Sequence, residues 1–371
     1  MNLIVDACIY ENKTQRGIAR IFSNTLPLMC DMQPDVKVYL FFRKSPQIAY
    51  PNHPRIRTLF LDGVYKLRPS FFWNAHYKKT QDSLIQNLFG WGSHNIWFST
   101  YFTIPSRQWR GKQIVLVHDF IYELFPDYIP GGERVVRQKA DAINAADLII
   151  CNSQTTYRDL MKIFPTLDKQ VFVTHLAADS TFRAKNKEEF GISLDFPFLL
   201  YIGKRNGYKN FETLFNAYVD WPGNTTVKLL LVGPNLTEAE INTFQSASVA
   251  EKIVVIEHPD DEALCDLYNQ ALAFVYPSIY EGFGIPLLEA MQCHCPIVAS
   301  RIPSSLEVAG DVPLYFEATD KISLLDALNK LTDAADLQAR AERGIKHARQ
   351  YSWEKTASEF LKALQTLENW K

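Results

Sequence analysis

The sequence predicts an α/β protein with two domains, and three observations lead to this fold class. The chain has 371 residues, more than one ordinary hydrophobic core holds and enough for two domains. Short runs of apolar, β-branched and aromatic residues recur from end to end, as expected of parallel strands that are buried on both faces. The segments between these runs have helical spacing, so strands and helices alternate along the chain.

The domain boundary and the strands follow from the same pattern. Residues 177–195 are polar and lack a sustained apolar period, which is typical of a linker and places a boundary near 180–195. We therefore expect domains at 1–180 and 195–350, followed by a helix at 351–371. The predicted strands are 3–5, 36–42, 56–61, 95–99, 113–118, 148–152, 171–175, 198–203, 227–233, 252–257, 272–277 and 296–300.

Composition narrows the class of protein. Hydrophobic residues make up 47% and charged residues 22%, as in soluble globular proteins. No run of about 18 apolar residues occurs, so no membrane span is expected. The first residues resemble a strand rather than a signal peptide, and six scattered cysteines indicate reduced, mostly buried thiols. We expect a cytoplasmic protein with no nucleic-acid partner.

Charge is unevenly distributed along the chain. The net charge is −2, but residues 1–179 carry +6 and the remainder carries −8. Ordinary surface variation is one explanation. The other is that the first half meets an anionic partner, such as a phospholipid surface or a phosphate-bearing acceptor.

The strongest candidate site lies between the strand that ends at residue 277 and a helix that begins near Ile285. A helix start offers free N–H groups and partial positive charge, which suit a phosphate. Glu281 lies in the loop before the helix, and Glu289 lies about a turn inside it. This pair fits a ligand with central phosphates and hydroxylated groups on both sides. The alternative is that Glu281 caps the helix and Glu289 is solvated.

The stretch Glu281-Gly-Phe-Gly-Ile-Pro-Leu-Leu-Glu289 resembles the E-x7-E signature of retaining glycosyltransferases of the GT4 type. In that family the first Glu contacts the transferred sugar and the second holds the ribose hydroxyls of the donor. The resemblance continues through residues 290–291, 295–300 and 307–311. It implies that the donor is also bound by Gly282, Phe283, Gly284 and Ile285.

No metal is expected at this site. The family usually has a small residue, often Gly, where this chain has His294, and the triplet Cys293-His294-Cys295 suggests a metal site. Adjacent ligands do not have the spacing of a zinc site, however. The chain also has no D-x-D motif, the metal clamp of the other major transferase architecture. We therefore expect activity without a metal or another cofactor.

A second candidate site follows the strand that ends at Gly203. Cations at a helix start need an anionic ligand, because they face the positive end of the helix dipole. Arg205 can form paired hydrogen bonds to phosphate oxygens, and Lys209 can act as a mobile charge. A solvated basic turn is the alternative. The segment resembles the G-x-R…K-N motif of the same family, which implies that Arg205 and Lys209 bind the donor diphosphate.

Two weaker signals lie in the first half of the chain. His118-Asp119 follows a predicted strand, and the family often carries such a His against the donor sugar, which implies an active-site role for His118. Arg16-Gly17-Ile18-Ala19-Arg20 resembles the G-I-x-R version of a loop before a helix that faces the donor phosphate and the acceptor. That likeness places Gly17 on the acceptor side, although Ala19 replaces the usual second glycine.

The resemblance implies the GT-B fold, with two doubly wound Rossmann-like domains facing each other across a cleft. The first domain would bind the acceptor and the second the nucleotide-sugar donor, and the resemblance leaves open a return of the last helix to the first domain. The implied reaction is retaining, metal-independent transfer of a hexose to a glycan or lipid-linked acceptor. Similar proteins build bacterial surface polysaccharides, including lipopolysaccharide, often from GDP-mannose.

Three other classes of function have to be weighed against a glycosyltransferase. A nicotinamide oxidoreductase needs G-x-G-x-x-G after the first strand, but residues 6–11 contain no glycine. A nucleotide-sugar epimerase or a phosphorylase could share the fold and the donor contacts. An inactive binding partner would not need both carboxylates and both cations. Residues 65–79 interleave aromatic and basic side chains, which fits an acceptor groove, a peripheral contact with the inner face of the plasma membrane, or a loop packed on its own domain.

Overall fold

The computed structural model describes residues 1–12, 16–61, 74–205 and 207–368, with the backbone alone for 16, 74–80 and 368. The chain divides into two compact units. Unit 1 comprises Met1–His118, Gly131–Leu176 and Trp353–Lys371, and unit 2 comprises Asp119–Pro130 and Ala177–Ser352.

Strands and helices alternate through both units. The strands are β1 Asn2–Asp6, β2 Lys37–Phe42, β3 Ile56–Phe60, β4 Asn95–Ser99, β5 Lys112–Val117, β6 Leu148–Cys151, β7 Gln170–Val173, β8 Phe198–Ile202, β9 Lys228–Val232, β10 Ile253–Ile256, β11 Ala273–Tyr276, β12 Ile297–Ser300 and β13 Leu314–Phe316. The helices are α1 Arg16–Met32, α2 Asn74–Phe89, α3 Ile121–Leu124, α4 Glu133–Ala145, α5 Gln154–Ile163, α6 Phe211–Asp220, α7 Glu238–Ser246, α8 Asp261–Gln270, α9 Ile285–Gln292, α10 Pro303–Ala309, α11 Lys321–Asn329, α12 Ala334–Ala348 and α13 Trp353–Glu368.

The predicted fold class is confirmed, because each unit is built on one parallel sheet. All twelve predicted strands are present to within a few residues, since apolar runs of this kind are stable only where both faces of the sheet are covered. The strand β13 was not predicted. It has only three residues and follows Pro313, so its apolar run is too short to distinguish a strand from a loop.

Unit 1 holds the larger sheet and also the last helix. The seven strands formed by its described residues lie in the order β3-β2-β1-β4-β5-β6-β7, and the strand order reverses between β1 and β4. The final helix, α13, belongs to this unit, so the chain does return to it. Phe360 of α13 is fully buried, with its ring 5.9 Å from that of Phe98 in β4. Thr356 adds a 2.8 Å hydrogen bond to the carbonyl of His175.

Unit 2 holds a sheet of six strands in the order β10-β9-β8-β11-β12-β13. The order reverses between β8 and β11, so the loops that follow these two strands diverge to opposite sides. In open parallel sheets such a reversal opens a crevice at the carboxyl ends of the strands, where ligands bind. The two loops at this point are 203–210 and 277–284, which contain the two strongest sequence motifs.

The predicted boundaries differ from the division in the structure. Residues 119–130, predicted within the first domain, belong to unit 2. The N–H of Phe120 donates to the hydroxyl of Tyr280 over 3.1 Å, and the ring of Phe125 lies 5.2 Å from that of Tyr280. The sequence does not reveal this because the segment follows β5 of unit 1 and precedes α4, also of unit 1.

The predicted linker is also part of unit 2 rather than a free connection. Nζ of Lys185 lies 2.7 Å from the carboxylate of Asp266 in α8, and both side chains are 3% exposed. The N–H groups of Gly191 and Ile192 donate to the second oxygen of the same carboxylate, over 2.8 and 3.0 Å. A polar sequence therefore packs on the unit through a buried carboxylate of α8 and through the side-chain amides of Asn269 and Gln270 in the same helix.

Asp266 depends on these partners for its charge. Burial by itself would raise the pKa of Asp266, but the hydrogen bonds from Lys185 and from Ile192 and Gly191 outweigh burial and lower it. Burial also opposes the charge of Lys185, yet its hydrogen bonds to Asp266 and Glu262 raise the pKa of the ammonium above its usual value. Each partner is thus held in its charged form.

We expect Asp266→Asn to lower the free energy of unfolding by about 3 kcal/mol at pH 7, because it leaves the buried Lys185 without its buried carboxylate partner and with only the exposed Glu262. The pKa of Asp266 is lower in the folded state than in the unfolded state. Its stabilisation is therefore complete above the usual carboxyl pKa of about 4 and disappears as the pH falls below it. Urea unfolding at several pH values measures the difference from the wild type.

Asp220→Asn is the matched control. Asp220 pairs with Lys321 over the same 2.7 Å, but both side chains are more than 40% exposed. Its loss should cost less than about 1 kcal/mol. Equal effects of the two substitutions would contradict the structural role of Asp266.

Candidate active site

The two loops at the strand-order reversal of unit 2 are connected by hydrogen bonds to backbone carbonyls. The N–H of Ile279 donates to the carbonyl of Tyr208 over 2.9 Å. The side-chain amide of Asn210, which precedes α6 in a left-handed conformation with φ 54°, donates to the carbonyl of Pro277 over 2.9 Å. The two motifs are therefore held side by side before any ligand binds.

Lys209 and Glu281 meet across these loops. Nζ of Lys209 lies 2.6 Å from Oε1 of Glu281, and the hydroxyl of Ser278 donates to the same oxygen over 2.7 Å. The two charged side chains are 22% and 15% exposed, so the pair is partly shielded from water. Glu281 therefore has a role beyond that of a helix cap, because it forms an ion pair with Lys209, which was predicted to bind the diphosphate.

Aromatic rings surround this ion pair. Nζ of Lys209 lies 5.2 Å from the ring centroid of Tyr208 and 5.9 Å from that of Tyr276, within the range of cation–π attraction. Burial and the charge of Glu281 raise the pKa of Tyr276 well above its usual value. Tyr276 therefore keeps its proton, and the surroundings of Glu281 consist of donors and a cation.

Helix α9 continues from this loop and carries the second carboxylate. Gly284 precedes the helix with φ 117°, a conformation that side chains rarely adopt, and Pro286 lies in the first turn. Glu289 is 5% exposed, which rules out the alternative that it is a solvated helix residue. Its Oε2 accepts a 3.1 Å hydrogen bond from the hydroxyl of Tyr268 in α8.

Arg205 makes a different set of contacts from those expected. Its guanidinium donates to both carboxylate oxygens of Glu240 and to the carbonyls of Pro234 and Asn235, over 2.6 to 3.2 Å. These bonds use four of its five N–H groups, and the side chain is 4% exposed. The structure therefore places Arg205 against the loop after β9, whereas Lys209 lies against Glu281. Direct contact of Arg205 with a diphosphate stays a prediction.

The C-terminus of α9 explains the departure at His294. The N–H of His294 bonds to the carbonyl of Met291, and the N–H of Cys295 bonds to that of Ala290. These two bonds define a Schellman motif, which requires a left-handed residue after the helix end. His294 has φ 58° and occupies that position. The family's usual Gly is thus a backbone requirement, which this chain meets with a histidine.

His118 and Gly17 lie in unit 1. His118 follows β5 and is 6% exposed, its carbonyl accepts a 2.9 Å hydrogen bond from Asn152, and its ring lies 6.0 Å from that of Phe102. Gly17 was predicted in the loop before the helix, but α1 begins at Arg16, so Gly17 lies in the first helical turn and is exposed. A Cβ at Gly17 would meet no atom of the described residues within 4 Å.

Several residues at the site were not found from the sequence. Ser278, Tyr268 and Glu240 are ordinary residues of a loop and two helices, and the partners of Tyr268 and Glu240 lie far away in the sequence. The only available signal was position, since Ser278 precedes Glu281 by three residues in the motif loop.

Three further predictions concern membrane spans, metal ions and the aromatic and basic segment 65–79. In the described part of the chain no helix is both long and apolar enough to cross a membrane. The same residues contain no group of three or more His, Cys, Asp or Glu side chains that could hold a metal ion. Most of the aromatic and basic segment 65–79 lies outside the described residues; its end, from Asn74, forms the start of α2.

Comparison with known proteins identifies the second unit. Residues 182–351 match the family model of the group 1 glycosyl transferases. The chain is 29% identical to O-antigen chain mannosyltransferase B of Escherichia coli over 286 residues, which are 73% of this chain and 74% of that protein.

Solved structures share the fold across both units. Sucrose-phosphate synthase of Thermosynechococcus elongatus matches with a TM-score of 0.77 at 16% identity, over the full length of both chains. HepE of Anabaena in complex with UDP and glucose matches with a TM-score of 0.71 at 14% identity, over 98% of this chain and 99% of that one. At such identities the likeness is one of fold. With the family match over 182–351, it follows that this chain carries a group 1 glycosyl transferase domain and is a glycosyltransferase of the GT-B fold.

Proposed function

We propose that this protein transfers a hexose from a nucleotide-diphosphate sugar to a glycan or lipid-linked acceptor, with retention of configuration and without a metal. The observation that carries the proposal is the arrangement around α9. The Lys209–Glu281 ion pair lies before its first turn, and the buried Glu289 lies inside it. This arrangement provides a cation and a helix start for a diphosphate, with one carboxylate on each side for hydroxyl groups.

The charge changes of the reaction fit these groups. When the anomeric C–O bond breaks, the diphosphate gains negative charge and the sugar ring becomes oxocarbenium-like. Lys209 and the N–H groups at the start of α9 would stabilise the leaving diphosphate, with backbone contacts from Gly282, Phe283, Gly284 and Ile285. Removal of one such electrostatic donor commonly lowers the rate by about 10²- to 10³-fold. Lys209 and these N–H groups would take the place of a metal ion.

Glu281 would orient the sugar rather than attack it. Its Oε1 already accepts hydrogen bonds from Lys209 and Ser278, which makes the carboxylate a weak nucleophile. We therefore favour front-face attack, in which the departing phosphate accepts the proton of the acceptor hydroxyl. Glu289 would bind the ribose hydroxyls. In unit 1 we propose His118 for contact with the donor sugar and Gly17 for the acceptor side.

The donor and the pathway are proposed from the relatives. A relative named O-antigen chain mannosyltransferase favours GDP-mannose as the donor and a growing surface polysaccharide, such as that of lipopolysaccharide, as the acceptor. All six cysteines are free thiols, which fits a reducing compartment. We propose a cytoplasmic location, with peripheral contact at the inner face of the plasma membrane where the acceptor is lipid-linked.

The proposed function is tested by incubating the protein with a panel of nucleotide sugars in EDTA, with and without synthetic lipid-linked glycan acceptors. We expect acceptor-dependent transfer from one donor, GDP-mannose first, and NMR of the product should show the anomeric configuration of the donor. Inverted product, a trapped sugar–Glu281 adduct, or activity that needs an added divalent metal would contradict the proposed mechanism. An altered nucleotide sugar formed without acceptor would indicate an epimerase instead.

Glu281→Gln should lower kcat by about 10²- to 10³-fold, because the amide keeps the shape of the carboxylate and loses its charge. Affinity for the nucleoside diphosphate should not fall, since Lys209 is released from its partner. Steady-state kinetics and calorimetric titration with GDP measure the two effects. A loss of GDP affinity with unchanged kcat would contradict the assigned role.

Glu240→Gln tests whether Arg205 binds the diphosphate directly. Glutamine can still accept the capping hydrogen bonds that Glu240 receives from Thr237, but it no longer forms an ion pair with Arg205. If Arg205 is a phosphate ligand, its release should tighten GDP binding by about three- to tenfold. Calorimetric titration with GDP measures the change.

The exposed Glu238 lies in the same first turn of α7, so Glu238→Gln is a matched control for the loss of one negative charge. It should leave GDP affinity unchanged. Weaker GDP binding by Glu240→Gln alone would show that Arg205 holds the loop in place and does not contact phosphate.

A further inference from the structure

We propose that Tyr268 is a positioning residue that orients the Glu289 carboxylate for the two ribose hydroxyls of the donor. The inference rests on the ribose-binding role of Glu289 in the proposed function. It adds a residue from α8, a helix that contains none of the sequence motifs discussed above.

The phenol of Tyr268 lies against α9. Tyr268 is fully buried, and its hydroxyl lies 3.1 Å from Oε2 of Glu289 and 3.4 Å from the carbonyl of Pro286. Both acceptors belong to α9 and lie three residues apart, on one face of the helix. The phenol has a single O–H, which donates to Oε2 at the shorter distance, and the hydroxyl lies beside the first turn of α9.

The ring of Tyr268 packs against two other aromatic rings. It meets Phe274 at 5.3 Å and 80°, and Phe182 at 6.0 Å and 77°, both edge-on. Phe274 belongs to β11, the strand that leads into the motif loop. The position of the hydroxyl is therefore set by ring contacts with β11 and with Phe182, outside α9.

The buried carboxylate of Glu289 needs a hydrogen-bond donor such as the Tyr268 hydroxyl. The last torsion of a glutamate side chain has a broad energy minimum, so the carboxylate plane is not fixed by the rotamer. A buried carboxylate is also costly without hydrogen bonds. Burial and the charge of Glu289 raise the pKa of Tyr268 well above its usual value, so the phenol keeps its proton and donates. A donor to Oε2 sets the plane of the carboxylate.

This positioning has a consequence for ligand selection. A site that is oriented to accept hydrogen bonds from two adjacent hydroxyls binds a ligand that lacks them much more weakly. If Tyr268 sets that orientation, its hydroxyl should contribute to the preference for ribose over dideoxyribose. It should contribute little to the binding of the base or the diphosphate.

The experiment compares binding of GDP and of 2′,3′-dideoxy-GDP to the full chain by calorimetric titration, with UDP and its dideoxy form as the second pair. Tyr268→Phe should weaken binding of the ribose form by about tenfold and leave the dideoxy form nearly unchanged. The ratio of the two affinities is unaffected by partial loss of active protein. With the donor identified in the screen, the KM should rise while kcat stays within about twofold.

Tyr218→Phe is the matched control. Tyr218 is also fully buried in unit 2, and its hydroxyl donates to the carbonyl of Val227 over 2.8 Å. Its loss should change stability without changing the affinity ratio. If Tyr268→Phe does not fold, Phe182→Leu removes one of the two ring contacts and should lower the ratio in the same direction, by a smaller factor.

Glu289→Gln distinguishes the ribose-binding role of Glu289 from the positioning role of Tyr268. If it leaves the ratio unchanged, the ribose-binding role of Glu289 in the proposed function is wrong. If it lowers the ratio and Tyr268→Phe does not, Tyr268 is a structural residue only and the inference is overturned. The same conclusion follows if Tyr268→Phe weakens binding of both forms equally.

Discussion

In unit 2, the site depends on the reversal of strand order between β8 and β11. Parallel strands all end at one edge of the sheet, and their loops diverge only where the order reverses. Lys209 and Glu281 follow these two strands and are 72 residues apart in the sequence, yet their charged atoms lie 2.6 Å apart. The site therefore follows from the topology, and the loop residues refine a position that the sheet has already determined.

The helix dipole explains why the carboxylates and cations occur together. Cations near the start of a helix repel its partial positive charge, so without an anionic ligand they require anionic protein groups. Lys209 has Glu281 and Arg205 has Glu240, and both ion pairs are partly shielded from solvent. A diphosphate that enters this region has to compete with carboxylates already bonded to the cations. In the proposed function, the net affinity for the donor is the gain from cation–phosphate pairs minus the loss of the cation–carboxylate pairs, and this difference favours reversible binding.

Much of the fold could be predicted from the sequence because buried parallel strands have a strong apolar signal. The strand β13 lacked it, being only three residues long. The helix start at Ile285 was also predictable, from glycines and a proline with well-defined backbone preferences. The partner of Arg205 was not, because Glu240 lies on another helix and nothing local links the two residues. For the same reason the burial of Glu289 and the packing of residues 119–130 on unit 2 required the structure.

His294 shows that this chain does not have the highest stability that its backbone allows. A side chain in the left-handed conformation costs about 1 kcal/mol or more relative to glycine, and part of that cost is recovered because glycine is more flexible when unfolded. The Schellman bonds after α9 form nevertheless, so the rest of unit 2 compensates for the strain. Protein engineers could therefore look for higher thermal stability at position 294, just beyond the C-terminal end of the helix that carries Glu289.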